Sequence, residues 1–133
     1  MIIIYVPDVK KTLDFYEKAF GWKPMVYDPE GTYGDVKAGD CNIGLVREDT
    51  AEYPIHKNSI YDKPAGISIA IDSKDVLKDY NRAILNGAKS LVPPHPTYWS
   101  KLVAVVTDPW GVVFVISGPS NEDYMKKLIV YNK

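Results

Sequence analysis

The two histidines, His56 and His95, are the residues of this sequence best suited to proton transfer. An imidazole changes its charge near neutral pH, so either side chain could act as a general acid or base. Both lie in polar segments that contain proline, where a histidine is usually just exposed to solvent. Neither has a Cys or His two to four residues away. This spacing predicts no metal site, and it identifies no catalytic residue.

Other reactive side chains give no stronger signal. Cys41 is the only cysteine, and its position in an alternating strand predicts a small buried residue rather than a nucleophile. Arg47 ends the same strand and could pair with an anionic ligand, or simply be hydrated. The sequence has no glycine-rich phosphate loop, no GxSxG elbow and no HExxH motif. No cofactor is therefore predicted.

The composition excludes several classes of partner. The 133 residues carry 16 basic and 17 acidic side chains, well mixed along the chain, for a net charge of −1. No surface for nucleic acid and no polybasic patch for a membrane is expected. No apolar run approaches the ~20 residues of a membrane span, and the first residues do not resemble a secretory signal. A single cysteine suits a reducing compartment, so we expect a cytoplasmic protein.

A pattern that occurs twice organises the chain. Residues 2–24 and 67–89 each contain an apolar strand, a polar break, a helix with a tyrosine, and a glycine that ends the helix. Gly21 is the terminal glycine of the first copy and Gly87 that of the second. A repeat of half the chain length indicates a duplicated unit, and two such units are expected to enclose a shared cavity.

Each unit is predicted to fold as βαβββ. The strands of the first unit are predicted at 2–6, 22–27, 33–38 and 41–47, with a helix after the first of them. In the second unit, Asp72 or Ser73 caps the helix, and Pro93 ends the strand that follows it. The strands of the second unit are predicted at 67–71, 88–92, 102–107 and 112–117.

The predicted fold class is α+β, with two tandem βαβββ modules that form a curved eight-stranded mixed sheet around a shared cavity, plus a C-terminal helix. A single domain, residues 1–133, comprises module one (1–47), a linker (48–65), module two (66–119) and the C-terminal helix (120–133). The linker is polar and has no regular period. The last segment starts with a sequence like a capping box and continues with apolar residues on one helical face.

Three segments carry a resemblance to a known family: VPDVKKTLDFYEKAFGW (6–22), the strand and helix of 66–87, and VTDPWGVVFVISGP (106–119). In this order and spacing they resemble the vicinal oxygen chelate superfamily. That superfamily includes glyoxalase I, extradiol dioxygenases, fosfomycin-modifying enzymes and bleomycin-binding resistance proteins. The resemblance implies the fold described above and, in the enzymes, a divalent metal bound by His and Glu side chains from four strands.

The resemblance places the four metal-ligand positions on Met1, Gly44, Gly66 and Val115. None of these residues offers a usual nitrogen, oxygen or thiolate ligand. The departure implies that this chain has no metal site, like the bleomycin-resistance branch, whose members bind an organic molecule in an apolar, aromatic-lined groove at a dimer seam.

Side chains alternate along a strand, so each predicted strand has a cavity-facing set and a core-facing set. In the family, the metal-ligand positions face the cavity. If the strands are oriented in the same way here, the smaller and more mixed set of side chains faces the cavity, and the uniformly apolar set faces the helices. The candidate ligand-binding residues are Tyr5, Tyr33, Asn42, Ser68, Trp99 and Ser117. The aromatic ones could instead serve in packing. Trp110, in the turn before the last strand, is expected to be exposed or at a subunit contact.

The first functional hypothesis is a metal-free protein that binds a small organic molecule, which could be aromatic. The ligand would lie in a cavity at the interface of a homodimer. Open strand edges and incomplete cavity walls in a single module favour the dimer. The alternative is a glyoxalase-like lyase or isomerase with relocated metal ligands. A third hypothesis is an interaction module that docks partners through the linker and the C-terminal helix.

Overall fold

A computed structural model of the chain describes residues 1–50, 67–97 and 101–120. In this part of the chain the order βαβββ occurs twice, which confirms the two predicted modules. Module one contains β1 (Ile2–Val6), α1 (Val9–Phe20), β2 (Lys23–Tyr27), β3 (Tyr33–Ala38) and β4 (Cys41–Arg47), and module two contains β5 (Ser68–Asp72), α2 (Val76–Leu85), β6 (Lys89–Pro96), β7 (Lys101–Thr107) and β8 (Val113–Pro119). The predicted C-terminal helix and most of the predicted linker lie outside the described residues.

Each module forms one mixed four-stranded sheet, and the two sheets together contain the eight predicted strands. The strand orders are β1-β4-β3-β2 and β5-β8-β7-β6. In both sheets the first and last strands of the module pair in parallel, with Ile3 beside Gly44 and Ala70 beside Val115. The other pairs are antiparallel. β1 and β5 are therefore edge strands of their sheets.

Helix α1 begins and ends where its sequence directs. The Asp8 side chain accepts a hydrogen bond from the backbone N–H of Lys11 at 3.0 Å, which satisfies a donor of the first turn. Gly21 ends the helix with a left-handed φ of 74° that other residues adopt only at a cost. Among the described residues, no helix is long and apolar enough to span a membrane.

The cap of helix α2 differs from the prediction. Asp75 is the N-cap, and its carboxylate accepts from the backbone N–H of Lys78 at 3.1 Å. Asp72 is instead the last residue of β5. The buried Ser73 turns its hydroxyl toward the carboxylate of Asp79 at 2.5 Å. The prediction was wrong because several potential caps follow one another, and only the path of the chain selects among them.

Strand β6 continues through the prolines that were expected to end it. It extends to Pro96, with interruptions of the register between Val92 and His95. β6 is the second edge strand of its sheet and pairs only with β7. The outer side of an edge strand needs no backbone N–H donors, so prolines are tolerated there.

Aromatic rings from both modules form one core. The rings of Tyr16, Phe20 and Trp22 in module one lie 5.7, 4.8 and 5.8 Å from the ring of Phe114 in module two. Trp110 was expected to be exposed or at a subunit contact, but it is half-buried, and its ring meets the Phe15 ring edge-on at 5.7 Å. Packing of these rings holds the two modules together.

Candidate functional site

A cleft of about 1000 Å³ lies between the modules. The edge strands β1 and β5 line it from opposite modules, the turn between β3 and β4 contributes residues 38–41, and buried side chains such as Trp22, Ile43 and Val112 close its inner end. The Ile67 side chain at the β5 wall is 76% exposed. The cleft is therefore open to solvent and bounded by apolar groups, as in pockets that bind small organic molecules.

Alternation along the strands separates the core from the solvent-facing side of each sheet. In β4, Ile43 and Leu45 are buried beneath α1, whereas Asn42 is exposed. In β5, Ser68 and Ala70 are exposed. These positions agree with the predicted assignment, but Ile2 and Ile67, which the predicted phase directs toward the core, are 41% and 76% exposed and line the cleft.

Two of the six candidate residues meet in the cleft. Tyr5 from β1 and Ser68 from β5 both line it. Tyr33, Asn42 and Ser117 are not part of its lining. Trp99 lies outside the described residues. The structure thus brings one candidate from each module into the same cleft and places three others on the sheets beyond it.

Tyr33 covers the position where the resemblance expected a metal-binding glutamate. A β-carbon built on Gly44 would lie 3.3 Å from the Tyr33 hydroxyl and 3.2 Å from the Met1 sulfur. The Tyr33 hydroxyl donates a hydrogen bond to the Asp35 carboxylate at 3.0 Å. Partial burial, and then this bond, raise the pKa of the Tyr33 phenol. The site of the absent glutamate is therefore filled by a phenol that stays protonated.

The residues at the expected metal positions do not fit a divalent metal ion. Gly44 and Val115 have no donor atom in their side chains, and Met1 offers only a thioether. Gly66 lies outside the described residues. Within the described parts of the chain, no group of three or more His, Cys, Asp or Glu side chains is arranged to hold a metal.

Of the two histidines, only His95 lies in the part of the chain that the structure describes, and it does not line the cleft. His95 is exposed on β6, with its Nδ1 atom 3.1 Å from the carbonyl oxygen of Pro93. It is not among the residues that line the cleft. His56 lies outside the described residues.

Most of the lining was not anticipated from the sequence, including Phe20, Trp22, Asp40 and Cys41. Phe20 and Trp22 follow the helical pattern of core residues. Asp40 was assigned only to a hairpin turn, and Cys41, expected to be buried, is half-buried at the cleft. Parallel pairing of β1 with β4 sets Ile2 beside Ile43. This pairing brings the turn before β4 to the start of β1. The predicted βαβββ order is therefore the information from which Asp40 and Cys41 could have been identified as lining residues.

The carboxylates of Asp40, Asp72 and Asp79 give the lining its charge, since the described lining contains no Lys, Arg or His. Asp40 and Asp72 are exposed, and Asp79 is half-buried. The cleft therefore combines an apolar interior with a negatively charged rim.

Comparison with known proteins places this architecture in a family. The family model of the glyoxalase/bleomycin resistance protein/dioxygenase superfamily matches residues 1–116. A family enzyme from Burkholderia phytofirmans PsJN is similar in structure, with a TM-score of 0.70, 21% identity, and coverage of 89% of this chain and 95% of the other. A glyoxalase-related enzyme from Fulvimarina pelagi gives a TM-score of 0.72 at 16% identity, covering 89% of this chain and 86% of that one.

TioX from Micromonospora sp. ML1 is similar as well, with a TM-score of 0.70, 15% identity, and coverage of 89% of this chain and 97% of TioX. None of the curated proteins compared with the sequence matches it significantly. The structural similarities are of fold, since the identities are low, whereas the family model covers most of the sequence itself. The chain therefore belongs to the glyoxalase/bleomycin resistance protein/dioxygenase superfamily.

Proposed function

We propose that the protein binds a small organic molecule in the cleft between β1 and β5, without a metal ion. The observation that carries the proposal is the cleft itself, about 1000 Å³ in volume and lined mainly by apolar side chains from both modules. Pockets for small organic ligands have volumes of roughly 300–1,000 Å³, mostly apolar walls and a few polar groups that orient the ligand. Tyr5 and Ser68 supply hydroxyl groups of this kind.

Binding is favoured over the alternative of a glyoxalase-like lyase or isomerase. That chemistry requires a metal ion that polarises the substrate. Gly44 and Val115 offer no donor atom, and the Tyr33 ring lies over Gly44. Apolar contact with the cleft walls, by contrast, needs no catalytic group.

Filling the cleft should abolish binding. Ala70 lines the cleft and is exposed on β5, so a tryptophan there would occupy the cleft without disturbing the core. We expect the wild-type protein to bind 2-naphthalenemethanol with a Kd of about 1 mM or lower. Ala70→Trp should weaken this binding at least about tenfold, and Tyr5→Ala should weaken it by about threefold. Isothermal titration calorimetry measures both changes.

Val92→Trp is the matched control, because Val92 is exposed on β6 and does not line the cleft. The Val92→Trp variant should bind 2-naphthalenemethanol with the same affinity as the wild type. Absence of binding to the wild-type protein, or unchanged binding by Ala70→Trp, would contradict the proposed function.

The protein is further proposed to form a homodimer that completes the walls of the cavity. Apolar side chains of module one remain open to solvent in the single chain: Ile3 is 47% exposed, Met25 62% and Val26 52%. Ile3 lies on β1 and the other two on β2, at the two edges of the sheet, where exposed apolar groups favour contact with another protein. A second copy of the chain would bury them.

Native mass spectrometry should detect a dimer without metal, even after incubation with Zn²⁺, Ni²⁺, Mn²⁺ or Fe²⁺, because the expected ligand positions hold no donor. A sample treated with EDTA is the reference. A monomer mass at micromolar concentration would contradict the dimer. One metal ion retained per chain would contradict metal-free binding and favour the lyase or isomerase.

A cytoplasmic location is part of the same proposal. The one cysteine, Cys41, is a free and half-buried thiol. A protein without disulfides suits a reducing compartment.

A further inference from the structure

The described lining of the cleft is more negative than the molecule as a whole. The described part of the lining contains three carboxylates and no basic side chain. Over the complete sequence, 16 basic and 17 acidic residues nearly cancel. The described lining therefore concentrates negative charge, and the apolar walls of the cleft focus the resulting potential.

Within residues 1–50, 67–97 and 101–120, no basic side chain forms an ion pair with these three carboxylates. Both ion pairs between described residues, Lys10–Asp14 and Arg47–Asp49, lie elsewhere. Asp79 accepts a hydrogen bond from the Ser73 hydroxyl, which is uncharged and leaves the carboxylate charge in place.

A nearby basic side chain is committed to another role. Arg82 on α2 donates hydrogen bonds to the carbonyl oxygens of Lys18 at 3.0 Å and Glu17 at 3.3 Å, at the end of α1. Its guanidinium group thus stabilises the C-terminus of α1 and is not part of the cleft lining.

Aromatic side chains in the lining add to the preference for positive charge. Tyr5, Phe20 and Trp22 all contribute to the cleft. The face of an aromatic ring carries negative electrostatic potential and attracts organic cations, most strongly when water is excluded. A lining of carboxylates and aromatic rings is therefore complementary to a molecule with an apolar body and a positive charge.

We infer that the ligand of this cleft is an organic cation, with an apolar or aromatic body and an ammonium or guanidinium group. The inference rests on the proposed function of the cleft and adds the charge of its ligand. Asp40 belongs to module one, and Asp72 and Asp79 belong to module two. A cation in the cleft is thus attracted by both modules, whereas an anion is repelled by both.

Three compounds with the same ring test the inference: 2-naphthylmethylamine (a cation at pH 7), 2-naphthalenemethanol (neutral) and 2-naphthoate (an anion). Calorimetric titration of the full chain at low ionic strength should give about tenfold tighter binding of the amine than of the alcohol, with the anion weakest. Asp40→Asn and Asp72→Asn should each reduce the preference for the amine about threefold. Raising the salt concentration should also reduce the preference for the amine over the alcohol.

Asp14→Asn is the matched control, because it removes one negative charge from an exposed position on α1 outside the lining. It should leave the preference unchanged. Equal binding of amine and alcohol, with both weakened in Ala70→Trp, would overturn the inference and leave the proposed function intact. An equal effect of Asp14→Asn would also overturn it, because the preference would then reflect overall charge. Failure of all three compounds to bind would contradict the proposed function itself.

Discussion

Asp108→Ala should lower the free energy of unfolding by about 3–5 kcal/mol, because it removes the acceptor of three buried hydrogen bonds. The Asp108 carboxylate is fully buried. One oxygen accepts from the backbone N–H groups of Trp110 and Val112, each at 2.9 Å, and the other accepts from the Tyr16 hydroxyl at 2.9 Å. Tyr16 belongs to module one and Asp108 to module two, so the loss should weaken both a turn and the contact between modules. Urea denaturation measures the change.

Asp108→Asn separates the hydrogen bonds from the charge. Its amide oxygen can accept the two backbone N–H groups, and its NH₂ group can donate to the oxygen of Tyr16. We expect a loss of about 1 kcal/mol or less. Tyr16→Phe should cost about 1.5–3 kcal/mol, because it removes one bond to a charged acceptor and keeps the ring. Equal stability of Asp108→Ala and the wild type would refute the cross-module role of this residue.

Asp108→Asn should also differ from the wild type in its dependence on pH. Burial raises the pKa of the Asp108 carboxyl above its ordinary 3.8, although its hydrogen bonds oppose the shift. At pH values between the ordinary and the raised pKa, the Asp108 carboxyl is therefore protonated in the folded protein and ionised in the unfolded chain. The resulting contribution to stability is present below pH 3.8 and is lost as the pH rises through the higher pKa of the folded state. Asp108→Asn should lose less stability than the wild type over that rise in pH.

Local patterns were sufficient to predict the modules. The apolar run of residues 2–6, the helical spacing that follows and the glycine at position 21 are all properties of short segments. Each of them restricts the chain in the same way wherever the segment lies in the fold. The repetition of this set in residues 67–89 then predicted the second module.

The composition of the cleft could be predicted only in part, because it depends on which segments meet. Tyr5 and Ser68 were predicted from alternation along their own strands, in the phase that the family resemblance implies for the cavity. Asp40 and Trp22 enter the cleft because β1, the β3–β4 turn and the end of α1 come together in the folded chain. Trp22 also satisfies every requirement of a core residue, being 9% exposed. No local pattern distinguishes a core residue from one that closes the end of a cleft.

Gly118→Ala should destabilise the protein by about 3 kcal/mol or more, because the new methyl group has no space. A β-carbon on Gly118 would lie 2.2 Å from the carbonyl oxygen of Ser73 and 2.9 Å from a methyl carbon of Val76. The Ser73 backbone N–H donates to the carbonyl oxygen of Ser117 at 2.8 Å, so the segments cannot separate without breaking this bond. The loss should appear as a lower midpoint of urea unfolding.

Gly44→Ala is the control that tests the cause. Its β-carbon would also meet close neighbours, at 3.2 Å from the Met1 sulfur and 3.3 Å from the Tyr33 hydroxyl, but both are ends of flexible side chains. These can rotate away, so the cost should stay below about 1 kcal/mol. The Ser73 carbonyl is backbone at the end of β5, and its displacement should also move a wall of the cleft. Gly118→Ala should therefore weaken binding of 2-naphthalenemethanol under conditions where the variant is still folded, and equal stability of the two alanine variants would contradict this argument.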